Sequence, residues 1–366
     1  MHVCHITSVH PRYDIRIFIK ECVSLQQHGY MVSLIVADGK DDENKHDINI
    51  YNVRTKSVGR IKRILQIPWK IYTKILMLKP DIVHLHDPEL LIIVKFLIKK
   101  GIKVIYDVHE NLPKQILTKY WIAAPFRKFL SKLIGKIELY LAKDLTAIVT
   151  VVPEIVDRFN NKNIIILYNY PILSDNLQQQ TINVNSEHHK IDLVYIGSIS
   201  KSRGIYELIK SLSLSNLKLN LAGRFSETTL YPVIQKLDGF KNVIYHGVLS
   251  HNDANQLLHN SRVGIVTLLP TPNHLDSLPI KLFEYMMAGI PVIASDFPKW
   301  RDIVVTHNCG LVVNPFNITQ IAEACLYLIN NPDIAYTMGE NGRKAINKLF
   351  NWNNEVEKLC ELYNNI

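Results

Sequence analysis

The chain reads as an α/β protein of two Rossmann-like domains facing a cleft, and three observations predict this. Its 366 residues exceed what one domain of roughly 100–200 residues ordinarily holds. Short apolar runs alternate with segments of helical apolar spacing in both halves, the pattern of a parallel sheet covered by helices on both faces. Residues 174–190, rich in Asn, Gln, Ser and His and poor in apolar side chains, separate the halves as a linker.

In order, residues 3–7 form a first strand, 15–28 a helix and 31–37 a second strand. Residues 82–85, 103–106 and 145–152 are further buried strands. The second half repeats the scheme. Strands are expected at 193–196, 217–222, 243–246, 263–267 and 291–294, and helices at 205–212, 254–259, 280–288 and 318–329. The domain bounds are 1–173, the linker 174–190, 191–348, and a terminal segment 349–366. Ligands of such sheets bind beyond the carboxyl ends of the strands, so functional residues belong just after them.

Composition narrows the class. With 47% apolar and 20% charged residues, a disordered or fibrous chain is excluded. Cys4, Cys22, Cys309, Cys325 and Cys360 form no Cys-x-x-Cys pair and are odd in number, which points to reduced core residues of a cytosolic protein. Residues 1–6 read as a first strand, not a signal peptide. The most apolar stretch, residues 90–98, is broken by Lys95 and too short to span a bilayer.

The net charge of +9 is unevenly placed. Up to Tyr170 there are 26 basic and 16 acidic residues; beyond it, 16 and 17. Residues 54–80 carry Arg54, Lys56, Arg60, Lys62, Arg63, Lys70, Lys74 and Lys79 without one acidic residue. Residues 111–137 carry Lys114, Lys119, Arg127, Lys128, Lys132 and Lys136, again with none. Trp69, Tyr72, Tyr120, Trp121 and Phe126 are interleaved. Cations with aromatic side chains suit an anionic lipid surface, each contributing on the order of 1 kcal/mol. Arg60, Lys62, Arg63, Trp69, Lys70, Trp121, Arg127 and Lys128 are the expected contacts, against the plainer reading of a solvated basic face. No nucleic-acid-binding signature accompanies the charge.

Three segments carry chemistry. In Asp276-Ser-Leu-Pro279-Ile-Lys281-Leu-Phe-Glu284-Tyr285-Met-Met-Ala288-Gly289-Ile-Pro291, Pro279 suits a first helical position and Gly289 ends the helix. Leu282, Phe283, Met286 and Met287 form one face; Lys281, Glu284, Tyr285 and Ala288 form the other. A helix start favours phosphate. Lys281 in the first turn opposes the helix dipole, so either Glu284 or a diphosphate must compensate it. Glu284, one turn in, is placed to accept both hydroxyls of a ribose. Secondly, Tyr195-Ile-Gly197-Ser198-Ile-Ser-Lys201-Ser-Arg203-Gly204 runs from a strand through small residues into a helix, which suits a diphosphate. Thirdly, the strand before His109 ends at the cleft edge. His84, His86, Asp87 and His109 imitate a metal cluster in composition, but nothing in the sequence fixes His109 beside the others, and no metal is expected.

The Asp276–Pro291 segment closely resembles the hallmark of the retaining GT-B glycosyltransferase family 4, in which two acids separated by seven residues precede a small-Gly-x-Pro-Val segment. The resemblance covers nearly the whole chain, specifically in the second half and more loosely in the first. It implies that Glu284 holds the nucleotide ribose and that Asp276 lies near the donor sugar. The family usually has Glu at Asp276, whose alternative is an Asx-turn or helix cap. Relatives often have an Arg after the first Gly of the loop and a Lys before the second; here Ser198 and Arg203 stand in those places. Arg203 is then the residue that neutralises the leaving diphosphate, helped by Lys281, Lys201 or backbone N–H groups around Gly197. His109 matches the family His near the 6-hydroxyl region of the donor sugar. His10 and Arg12, after the first strand where relatives carry paired glycines, face either the acceptor or nothing but their own loop. The terminal helix is expected to cross back onto the first domain.

These assignments make the chain a retaining hexosyltransferase using a UDP- or GDP-linked sugar and a glycan or lipid-linked acceptor, as in polysaccharide, lipopolysaccharide or O-antigen assembly. It would sit peripherally on the inner face of the cytoplasmic membrane. No Asp-x-Asp occurs, which argues against a metal-bound GT-A enzyme and for leaving-group support by cations. The alternatives are a nucleotide-sugar 2-epimerase of the same fold and a non-catalytic nucleotide-sugar-binding membrane protein. A Rossmann oxidoreductase is disfavoured, since no Gly-x-Gly-x-x-Gly follows a strand.

Overall fold

The computed structural model describes residues 1–53, 60–117, 122–173 and 191–366; the expected linker and Trp121 lie outside these. Two compact units are present: Met1–Asn169 with Trp352–Ile366, and Tyr170–Asn351.

In the first unit, strands β1 (His2–Ile6), β2 (Met31–Val36), β3 (Glu43–Lys45), β4 (Ile48–Asn52), β5 (Ile82–Leu85), β6 (Lys103–Val108), β7 (Ala147–Thr150) and β8 (Ile164–Ile166) form one sheet. Its order is β3-β4-β2-β1-β5-β6-β7-β8, parallel except for the β3–β4 hairpin. The near-continuous apolar runs of β1, β2, β5, β6 and β7 follow from burial on both faces. The hairpin strands and the three-residue β8 escape sequence reading because they are short. The expected first helix forms as Ile15–Cys22, wound as a π-helix, continuing into Val23–Gln27. Asp14 caps it by accepting the N–H groups of Arg16 and Ile17. The Trp352–Asn365 helix belongs to this unit: Trp352 Nε1 donates to the Lys20 carbonyl (3.1 Å) and Ser24 Oγ (2.9 Å).

In the second unit, β9 (Ile191–Ile196), β10 (Leu219–Ala222), β11 (Val243–Gly247), β12 (Ser261–Val266), β13 (Val292–Ser295) and β14 (Gly310–Val313) are all parallel, in the order β11-β10-β9-β12-β13-β14. In both sheets the first strand of the unit is central and the winding reverses beside it, at β1/β5 and β9/β12. Such a switch point opens a crevice at the carboxyl edge.

The five cysteines are free and buried. Burial pushes the thiols of Cys4, Cys309 and Cys325 up to about 12, so they stay protonated and inert. Among the described residues no helix is long and apolar enough to cross a membrane.

Candidate active site

The second unit places its expected site residues around the β9/β12 switch point. Gly197 and Ser198 follow β9, and Gly223 follows β10. The two loops touch: the Gly197 N–H donates to the Ala222 carbonyl at 2.9 Å. A Cβ on Gly223, whose φ is +141°, would lie 1.7 Å from the Gly197 carbonyl oxygen. Only glycine fits there. Sequence reading missed Gly223; the Ala222-Gly223-Arg224 step directly after an apolar strand was the available signal. Ser198 is held by its own unit, its Oγ on Ser226 Oγ (2.5 Å) and its carbonyl on Tyr195 Oη (2.7 Å).

Arg203 ends the short Lys201–Arg203 turn, and Gly204 (φ +70°) then reverses the chain into the Ile205–Ser215 helix. A side chain at 204 would meet the Thr267 carbonyl, so the turn is pressed against the end of β12. Arg203 is half-buried, and its guanidinium makes no hydrogen bond or ion pair among the described residues. Together with burial, its charge holds His274 below the ordinary histidine range. A partly desolvated cation of this kind is an anion receptor.

The Ile280–Ala288 helix has its expected bounds, with Pro279 as its N-cap, not its first residue, and no capping side chain. Tyr285 and Ala288 are buried, correcting the expected polar face. Tyr285 Oη accepts the Ile196 N–H at 3.0 Å, and its ring lies against Gly264 of β12. These contacts nail the helix onto β9 and β12, leaving Lys281, Glu284 and Met287 as its partly exposed stripe. Lys281 Nζ reaches Glu284 Oε2 at 2.5 Å, so the ion pair that the sequence allowed is formed. Lys281 also borders the Gly197 loop, its Cε 3.8 Å from where a Gly197 Cβ would stand.

Asp276 ends the Pro272–Asp276 helix and does not cap the next one. Its carbonyl accepts Lys299 Nζ (2.9 Å) and the neighbouring Ser277 carbonyl accepts Trp300 Nε1 (2.8 Å), fixing this acid-bearing turn from behind. Beside the site, Lys201, Tyr206, Glu207, Glu227, Thr229, Leu230 and Val233 line an open hollow of about 490 Å³. Its two carboxylates make it a poor seat for a diphosphate.

The first unit gathers a polar cluster that sequence reading did not anticipate. His109, just beyond β6, is joined through Nε2 to His86 Nδ1 (3.1 Å) and Asp107 Oδ2 (3.1 Å). His86 Nε2 meets His5 Nδ1 at 2.9 Å. Arg16 forks Asp107, with Nε 2.9 Å from Oδ2 and Nη2 3.1 Å from Oδ1, and lies 3.2 Å from Glu21. Burial raises both carboxyls, but the Arg16 charge and the two histidines hold Asp107 well below the carboxylate range. Glu21, buried and facing that carboxylate, is pushed well above it and keeps its proton. Burial drives His5 and His84 well below the histidine range and His86 to about 4. The signal was available in polar residues at strand positions where apolar ones belong: His5 pairs with His84 in register, and Asp107 interrupts β6.

His86, Asp107 and His109 lie close enough to share a metal ion, so the structure does fix His109 beside His86. Arg16 already supplies a cation to both Asp107 oxygens, and a second cation there would be repelled.

His10 joins this edge, its ring 5.1 Å from that of His109 and its Nε2 3.4 Å from Asp87 Oδ1. A hydrogen bond to Asp14 raises its pKa. Arg12 has a different place: it is 4% exposed, forks Asp38 (2.7 and 2.9 Å) and reaches Glu43 and the Asp41 carbonyl. Its donors bind the loop after β2 and the β3 strand.

Of the expected membrane contacts, Trp69 and Lys70 are exposed on the Arg60–Leu78 helix, and Lys128 on the Ala124–Ala142 helix. Arg127 instead turns inward to the Leu117 carbonyl (3.3 Å). The side chains of Arg60, Lys62 and Arg63 and the whole of Trp121 lie outside the described residues.

Parallel sheets wound outward from a central strand, with glycine loops and helix starts at the switch point, define a doubly wound α/β architecture. Comparison with known proteins gives the family. Residues 20–169 match the model of glycosyltransferase family 4, and residues 178–345 that of glycosyl transferases group 1. Together they account for most of the chain, which belongs to the GT-B glycosyltransferases of the family 4 type. A capsular polysaccharide biosynthesis glycosyltransferase, CapM, of Staphylococcus aureus is 25% identical over 65% of this chain and 66% of its own length. The first curated relatives are matched over 47 to 68% of their own length. Two solved structures share the fold. Sucrose-phosphate synthase from Thermosynechococcus elongatus has a TM-score of 0.77 at 15% identity, covering 100% of this chain and 98% of that one. HepE of Anabaena, solved with UDP, has a TM-score of 0.74 at 14% identity, covering 100% of both chains.

Proposed function

We propose that the chain is a retaining hexosyltransferase that moves a sugar from a nucleotide diphosphate to a glycan acceptor, lipid-linked, in polysaccharide or lipopolysaccharide assembly. The observation that carries this reading is the half-buried Arg203 guanidinium, without a hydrogen bond or ion pair among the described residues, whose charge reaches Tyr195 at the border of Gly197. It is a site shaped for pyrophosphate. Arg203 and Lys281 stabilise the charge that develops as the diphosphate departs, without an obligatory metal. Glu284 exchanges Lys281 for the ribose hydroxyls when donor arrives. Asp276 lies toward the sugar, and Gly197 and Ser198 offer backbone to the phosphates. His109 and His10 serve the sugar and acceptor side from the first unit. Retention follows from family resemblance, and UDP is favoured by the UDP complex of HepE.

The acceptor's lipid character rests on the Ala124–Ala142 helix. Its buried residues are Ser131, Gly135, Glu138 and Ala142, whereas Phe126, Phe129, Leu133, Ile137 and Tyr140 lie outward, at 67, 66, 42, 47 and 59% exposure. Lys128, Lys132 and Lys136 are exposed among them. This inverted helix, with Trp69 and Lys70 of the Arg60–Leu78 helix, suits insertion into an anionic cytoplasmic leaflet.

A thermal-shift screen of UDP- and GDP-sugars, followed by product analysis with lipid-linked acceptors, tests the proposal. Glu284→Ala and Arg203→Ala are each expected to cut transfer at least roughly tenfold, equivalent to about 1.4 kcal/mol of barrier. Near-normal transfer by both variants overturns the site assignment.

A further inference from the structure

We propose that Asp107 is the positioning residue of His109, fixing its imidazole with Nε2–H toward the carboxylate so that Nδ1 presents a lone pair to the ligand. The inference starts from a carboxylate that can only accept. Asp107 is fully buried, and Arg16 forks both of its oxygens. Its Oδ2 faces His109 Nε2 at 3.1 Å and His86 Nδ1 at 3.4 Å. An ionised carboxylate offers no hydrogen, so His109 Nε2, the nearer of the two ring nitrogens, carries one. That N–H also faces His86 Nδ1 at 3.1 Å, which therefore accepts, and His86 in turn donates its Nε2–H to His5 Nδ1, 2.9 Å away. Asp107 thereby sets the direction of the chain from β6 through β5 to β1.

The groups facing this chain are Arg16 and Glu21 from the first helix, His5 from β1, and His84 and His86 from β5 and its end. Tyr363 of the terminal helix closes the far side, with its Oη 2.6 Å from His84 Nδ1. His5, His86 and Asp107 are sealed from solvent, but the His109 side chain is 18% exposed. Among the described residues, every polar contact of its ring uses Nε2. Nδ1 is therefore the nitrogen left for a ligand, and the fixed tautomer makes it an acceptor for a sugar hydroxyl. The tautomer would be the same whatever the ligand; its use in transfer rests on the role proposed above for His109.

The direct test is ¹⁵N NMR of the full chain with labelled histidine at pH 7.5, the His109 signals being identified by their loss in His109→Gln. In the wild-type protein His109 is expected as the Nε2–H tautomer. In Asp107→Asn, whose amide both donates and accepts, the signals should move toward a mixture of tautomers. Transfer by this variant should fall at least roughly tenfold in turnover, with donor KM little changed. A wild-type Nδ1–H tautomer, or a tautomer unmoved in Asp107→Asn, overturns the proposal, and the wild-type spectrum decides even if the variant fails to fold. Full transfer by His109→Gln would instead remove the functional reading and leave the tautomer result standing.

Discussion

Glu21 and Gly223 illustrate how single residues carry the costs of the site. Glu21 is buried among His5, His86 and Arg16, and Asp107 has first claim on the guanidinium. Its folded pKa is raised above the ordinary 4.5 by burial and then by Asp107. Above that unfolded value the unfolded chain releases a proton that the folded chain retains, so stability is lost as pH rises toward the folded pKa. Glu21→Gln should therefore gain stability over the wild type as pH rises from about 5 to 8, read as a growing difference in denaturant midpoint. A constant or shrinking difference would contradict the assignment. Gly223 has the opposite character, since it is indispensable for shape. Gly223→Ala should destabilise by about 2 kcal/mol or more, lowering the melting temperature and weakening UDP or GDP binding. An unchanged melting curve with normal binding would remove the loop contact from the account.

At the scale of elements, the sequence was most legible where apolar runs are long. The Ile280–Ala288 helix formed with its expected ends to within a residue, because Pro279 and Gly289 punctuate it. The five expected second-unit strands came out within two residues at each end, because runs buried on both faces are conspicuous, whereas β14 was not expected. The β3–β4 hairpin and the polar cluster were not legible, since both depend on partners distant in the chain: Asp107 meets Arg16 only because β1, β5 and β6 are neighbours. The outward apolar stripe of the Ala124–Ala142 helix was likewise hidden, because periodicity marks an apolar face without saying which way it turns. Replacing Phe126 and Phe129 by Ser should lower cosedimentation with phosphatidylglycerol vesicles at least roughly tenfold. The melting temperature should stay unchanged, because both rings are exposed. Undiminished vesicle binding would show that this face meets something else.

For the molecule as a whole, one construction is used twice: a parallel sheet wound outward in both directions from a central first strand. The two copies carry different side chains. The first unit holds the excess of positive charge and the buried histidine network, and the second holds the glycine loops and Arg203, which has no hydrogen bond or ion pair among the described residues. The second copy's role is the claim on which the rest depends, and isothermal titration of UDP and GDP against the wild type, Arg203→Ala and Glu284→Ala tests it without need of sugar or acceptor. One of the two nucleotides should bind the wild type and lose at least roughly tenfold in affinity in each variant. Binding of neither nucleotide, or equal binding by all three proteins, would contradict it.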